Sequence, residues 1–186
     1  MGQKQKSRTE GKKDLLSALT GAQALQTLWL LHAQGKEMAR AVEEAADQCL
    51  RRVSADEVAE EVRLALEAIL VEEVWDGAGP SHHGYRHPDE VAWELLESAV
   101  EPYAEDLKRY QNLGMDQQAT ELALGILRGI YDFAQESASQ FKEWVPDGPQ
   151  ALFADVLTLL RAGAQRPEDR TRMEEELSYH CPCWPC

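Results

Sequence analysis

Apolar side chains recur three and four residues apart along nearly all of this chain, and nowhere does the two-residue alternation of a half-buried strand replace that spacing. Leu15, Leu19, Ala22, Leu25 and Trp29, widened by Leu28 and Leu31, predict a first helix over 14–34, opened at Asp14 and closed by Gly35. Its broad stripe places it at the centre of the core. Met38, Val42, Ala45, Cys49 and Val53 predict a second helix over 36–52, with Cys49 inside the stripe as a buried, unreactive thiol. Ser54 and Glu57 have the spacing of a capping box, and the helix they open is carried to Trp75 by Val58, Val62, Ala65, Leu66, Ile69 and Val74.

The periodicity then stops. Residues 76–87 hold Gly77, Gly79, Pro80 and Gly84, a composition that favours turns, so this long loop divides the chain into two helical halves. Pro88, followed by Asp89 and Glu90, opens a fourth helix, which Gly114 ends. Pro102 removes one hydrogen bond from its interior and predicts a kink or break near Val100. A fifth helix spans about 116–144, and a sixth follows Val145–Pro149 through Ala151 to Ala162. Gly125 and Gly129, four apart, leave one side of the fifth helix bare for the close approach of a neighbouring backbone. The expected fold is all-α: about six helices in antiparallel hairpins, packed as a bundle or a short solenoid. A basic arm over 1–13 precedes the helical domain over 14–163, and a tail over 164–186 follows it.

Charge narrows the partners. The 186 residues sum to −14, yet Lys4, Lys6, Arg8, Lys12 and Lys13 against Glu10 give residues 1–13 a net of +4, leaving −18 for the remainder. An acidic body repels phosphate backbones, so nucleic acid is disfavoured as a partner. The arm has the mixed polar composition of a flexible solubilising segment. No apolar run approaches the roughly 18 residues that a membrane span requires. With no secretory signal pattern, the expected compartment is the cytoplasm.

Two stretches carry likenesses. Leu113-Gly114 followed by Ala119, Ala123 and the run to Phe133 resembles the second half of a tetratricopeptide-type hairpin, which implies helical-hairpin architecture. Residues 100–106, 124–131 and 141–149, within about 88–163, resemble the helical region that accompanies SWIM-type zinc-finger domains in bacterial proteins. That likeness implies an accessory helical module of intracellular proteins, without catalytic residues.

Candidate chemistry gathers at two places. His180, Cys181, Cys183 and Cys186 crowd the last residues, where Pro182 and Pro185 supply tight turns. Three thiolates suit Zn²⁺ or Cu(I), and a fourth ligand is available from His82, His83 or His87 if the tail folds back on the loop. Cys183 and Cys186 also have the CxxC spacing of thiol exchange, although the motif does not open a helix that would lower a thiol pKa. Incidental thiols are the third reading of the tail, and a polar surface loop with His87 as helix cap is the alternative for the histidines. Metalloprotease and di-iron helical motifs, phosphate loops and a serine nucleophile elbow are missing. The expected function is a non-enzymatic helical interaction or accessory module, with a protein partner or a second copy of itself. The rival is a metal-dependent enzyme or metal carrier that uses the loop histidines and the tail cysteines.

Overall fold

The computed structural model describes residues 15–82, 84–163 and 167–184 and divides the chain into two compact units, 1–51 and 52–186. Expected elements on residues 1–14, including the basic arm, lie outside the described residues. All-α architecture holds, but not the count of about six helices: eight α-helices and one 3-10 helix are present among the described residues. None of these helices is long and apolar enough to cross a membrane.

The first unit is a helical hairpin, α1 (Gly21–His32) and α2 (Lys36–Leu50). Residues 15–17 are helical and the chain leaves the helix over 18–20, so the helix expected over 14–34 is interrupted, and Thr20 caps α1. The Thr20 hydroxyl accepts from the Gln23 backbone N–H at 3.3 Å, and the Gln23 side chain accepts from the Thr20 N–H at 2.9 Å. This reciprocal cap satisfies two free donors and restarts the helix at Gly21, inside the span that apolar spacing predicts as one helix. Gly35, at φ 134°, turns the chain into α2. Ala24, Thr27 and Leu31 of α1 and Ala39 and Val42 of α2 are half-buried, marking the seam between the two helices. No residue of either helix is buried, so α1 does not lie at the centre of a core, and Cys49 is exposed.

The second unit is built around α6. Its elements in order are α3 (Ala55–Glu67), α4 (Val71–Gly77), β1 (Gly79–Ser81), β2 (Gly84–Arg86), α5 (Pro88–Asn112), α6 (Asp116–Glu136), a 3-10 helix (Gln140–Trp144), α7 (Gly148–Gly163) and α8 (Pro167–His180). α6 is flanked by α3, α5, α7 and α8, and Ala123, Ile126, Leu127, Ile130 and Phe133 are sealed from solvent. Gly125 and Gly129 do admit a neighbouring backbone. A Cβ on Gly129 would stand 2.5 Å from the Ala59 carbonyl oxygen, and one on Gly125 would stand 2.7 Å from that of Ala55, so α3 lies directly on α6.

Departures from the predicted elements have local causes. The third predicted helix is two: α3 ends at Glu67, and at Leu70 the chain is extended before α4 begins, with the Glu73 carboxylate accepting from the Leu70 N–H at 3.0 Å. The expected break at Pro102 does not occur. The residue whose carbonyl loses its partner is Ser98, and both Ser98 and Pro102 lie on the exposed side of α5, where water can satisfy that oxygen. The fifth predicted helix stops at Glu136 because Lys142 Nζ donates to the carbonyls of Ala134, at 2.5 Å, and Ser137, at 3.0 Å. That ammonium serves the bare end of α6, and residues 140–144 form a separate 3-10 turn.

The loop over 76–87 is not wholly irregular. Gly79 and Gly84, both at positive φ, bracket an antiparallel two-stranded hairpin in which Gly79 faces Arg86, Pro80 faces Tyr85 and Ser81 faces Gly84. No alternating apolar pattern announces strands this short. Nor does the loop part the chain into halves, because α3 and α4 before it pack on α6 and α5 after it.

Candidate functional site

Residues set apart as a tail contain α8, whose Met173 and Leu177 are buried, as is Cys181 just beyond its end. Four-residue spacing puts these three side chains on one face, and α8 packs on α6. The Cys181 N–H donates to the Leu177 carbonyl at 2.7 Å, and the chain then turns so that the Trp184 N–H donates to the Cys181 carbonyl at 3.2 Å. This turn delivers the Trp184 ring edge-on to Tyr131, with centroids 5.2 Å apart, and to Phe153, 4.9 Å apart. The segment through Trp184 is therefore part of the body rather than an appendage to it.

The three cysteines of the tail have different surroundings. Cys181 is 0% exposed and Cys183 is exposed, while Cys186 lies outside the described residues. The hydrogen bond with the Cys183 side chain, together with burial, holds the Tyr131 phenol above its ordinary range. His180 Nε2 lies 3.5 Å from a Glu176 carboxylate oxygen one turn earlier, and its ring stands edge-on to Tyr179. Nearby on α6, burial first and the Glu136 charge second push the Asp132 carboxyl up, against the opposing pull of Arg128, His180 and Arg63. Asp132 itself is half-buried.

In the loop, His82 sits exposed at the β-hairpin turn, and His83 lies outside the described residues. His87 stands at the start of α5, where its N–H donates to the Glu90 carboxylate at 3.2 Å and its ring packs edge-on against Tyr85. Among the described residues, no group of three or more His, Cys, Asp or Glu side chains is gathered so as to hold a metal ion. The described members of the predicted ligand set, His180, Cys181, Cys183, His82 and His87, are accordingly not brought together as one centre. No buried side-chain nitrogen or oxygen among the described residues lacks a hydrogen-bond partner.

Two surface features remain. A groove between α5 and α7 holds about 470 Å³ and carries the carboxylates of Glu94, Glu97, Glu101 and Asp155 against the single ammonium of Lys108. The other is the α1–α2 hairpin, where Trp29 is 64% exposed, Leu30 62% and Leu25 56%, with Leu15, Leu16, Leu28 and Met38 also exposed. Leu25, Leu28 and Trp29, three and four apart, form a stripe beside and behind the hairpin seam. His32 Nε2 reaches a Glu43 carboxylate oxygen at 3.1 Å, pinning the two helices together. Sequence reasoning found this stripe and misjudged its position, because the Thr20–Gln23 cap was the signal that separated α1 from what precedes it. The Tyr131–Trp184–Phe153 cluster went unforeseen, since its members lie far apart in sequence with no shared period.

Compared with models of known protein families, with curated proteins and with solved structures, the chain finds no match in any of the three.

Proposed function

We propose that this protein is a non-enzymatic helical interaction module whose working surface is the α1–α2 hairpin. The observation that carries this reading is the exposure of Leu25, Leu28, Trp29 and Leu30 on a helix in which no residue is buried. An apolar helix stripe contributes packing energy only when something covers it. Contiguous exposed apolar surface of this kind is the physical mark of a docking site. The rival, a metal-dependent enzyme or carrier with Zn²⁺ or Cu(I) on the tail thiols and loop histidines, would require Cys181 to leave its apolar seat between α8 and the body.

Hydrogen exchange tests the reading. In a solution too dilute for association, amides over 21–50 are expected to exchange at rates near those of an open peptide, while those of α6 around Ile126–Ile130 exchange only on global unfolding. Hairpin amides as slow as those of α6 under these conditions would sink the reading, because the hairpin would then be covered by its own chain.

A further inference from the structure

We propose that the groove between α5 and α7 docks a lysine-bearing peptide segment of a partner protein, the methylene stem of a lysine lying on the groove's apolar floor and its ammonium among the carboxylates of the rim. The groove belongs to the body alone, so the proposal stands apart from the hairpin reading. Its volume of about 470 Å³ is enough to receive a few side chains rather than a whole helix. Val100 and Ala104 of α5 and Leu152, Val156 and Leu159 of α7 make the floor. Only Ala104 and Leu159 among them are half-buried rather than buried, so the floor is shallow and suits a narrow alkyl chain better than an aromatic anchor.

The rim supplies the charge. Glu94, Glu97 and Glu101, three and four apart, share one side of α5, and Asp155 lines the groove from α7. Arg86 occupies Glu94, but Glu97, Glu101 and Asp155 make no ion pair or hydrogen bond among the described residues. The groove's own cation, Lys108, is bonded to Glu105 at 2.7 Å. Ser98 stands on the same wall, and Pro102 leaves its carbonyl without a donor from the helix. The groove is thus rich in acceptors and poor in donors. An ammonium brings three donors and one positive charge, and its stem covers the floor. A guanidinium instead seeks both oxygens of one carboxylate in a plane, whereas these acceptors are spread over two walls.

The surrounding charge favours the same occupant. Residues 52–186 carry 11 Lys and Arg against 27 Asp and Glu, a net of −16, a field that draws in a cationic segment and turns away an acidic one.

Fluorescence anisotropy of a labelled short peptide of alternating lysine and alanine, titrated with the full chain, tests the proposal. Binding is expected to saturate and to weaken as salt is raised. Glu97→Gln combined with Glu101→Gln should weaken it about fivefold, the worth of two exposed charge contacts. Ala104→Leu, which fills the floor and leaves the charge alone, should weaken it by a similar factor. Glu57→Gln combined with Glu72→Gln removes the same charge from exposed positions on α3 and α4, outside the groove, and should leave the affinity little changed. Equal losses in the two glutamine pairs, or full affinity in Ala104→Leu, would reduce the attraction to net charge and overturn the proposal. Absence of binding at low salt overturns it as well. So does displacement of the peptide by an equal concentration of spermidine, which would make the groove a site for small polyamines.

Discussion

The hairpin and the body use the same apolar vocabulary at the same spacing and meet opposite fates. Leu25, Leu28 and Trp29 of α1 are three and four apart and stand in solvent, whereas Leu122, Ile126 and Ile130 of α6 have equivalent spacing and are buried. The two helices differ in their neighbours. α6 has four helices around it and two glycines that let one of them touch its backbone. Within its own unit and among the described residues, α1 packs on α2, with Ala24, Thr27 and Leu31 half-buried along the seam and its other side chains exposed. Periodicity states that a face needs cover, and only the arrangement of the other elements decides whether the same chain provides it.

That contrast can be broken by experiment, and the largest expected effect is truncation in the body. Phe133→Ala should cost about 3–5 kcal/mol, because the ring is fully buried and its neighbours cannot collapse into the void. Leu25→Ala in the hairpin should move the body's urea midpoint by no more than about 0.5 kcal/mol. Comparable losses at the two sites would mean that hairpin and body unfold as one.

Next comes the glycine seam. Alanine is favoured over glycine inside a helix by about 1 kcal/mol, but a methyl on Gly129 would press on the Ala59 carbonyl and on Val62. Gly129→Ala should therefore destabilise by about 1–3 kcal/mol. A thermal melt that rises instead would show that α3 can slide away at little cost.

A smaller loss, about 1–2 kcal/mol, is expected for Trp184→Ala, which removes the ring between Tyr131 and Phe153. An unchanged melt would return the last residues to the status of an appendage. The smallest effect concerns Asp132. Its folded carboxyl lies above the ordinary value of 3.8, so the folded state binds more protons and stability falls as pH rises from that value through the raised one. The penalty is complete above the raised value and absent below 3.8. Asp132→Asn should accordingly raise the melting temperature at neutral pH, and the gain should vanish in acid; a gain that persists in acid would assign it to packing rather than charge.

Much of this architecture is legible in the residue pattern. Helix type, the positions of α2, α5 and α7, and the close approach at Gly125 and Gly129 all follow from spacing and from glycine. What escapes is decided by single polar groups acting across turns. Lys142 ends α6 by serving its carbonyls, and Thr20 with Gln23 starts α1. Neither disturbs the apolar period around it, so neither is visible to an argument from periodicity. At the candidate site, the crowding of thiols was plain, but their separation by burial was not. Whether Cys181 joins the face of Met173 and Leu177 depends on α8 continuing to His180, and the charged run over 174–176 hides that stripe. The exposure of the α1 stripe was illegible for a different reason: a sequence records which side chains avoid water but not how many neighbours are available to cover them.

The wedged indole of Trp184 also gives the molecule an optical handle. An indole lodged against two aromatic rings emits at shorter wavelength than one bathed in water, and it is poorly reached by a collisional quencher such as iodide. Trp29, on the open flank of α1, sits at the other extreme. Chains that retain one or the other as their sole tryptophan would thus glow in distinguishable colours, and the colour of Trp29 would change at the moment its flank is covered, with no label added.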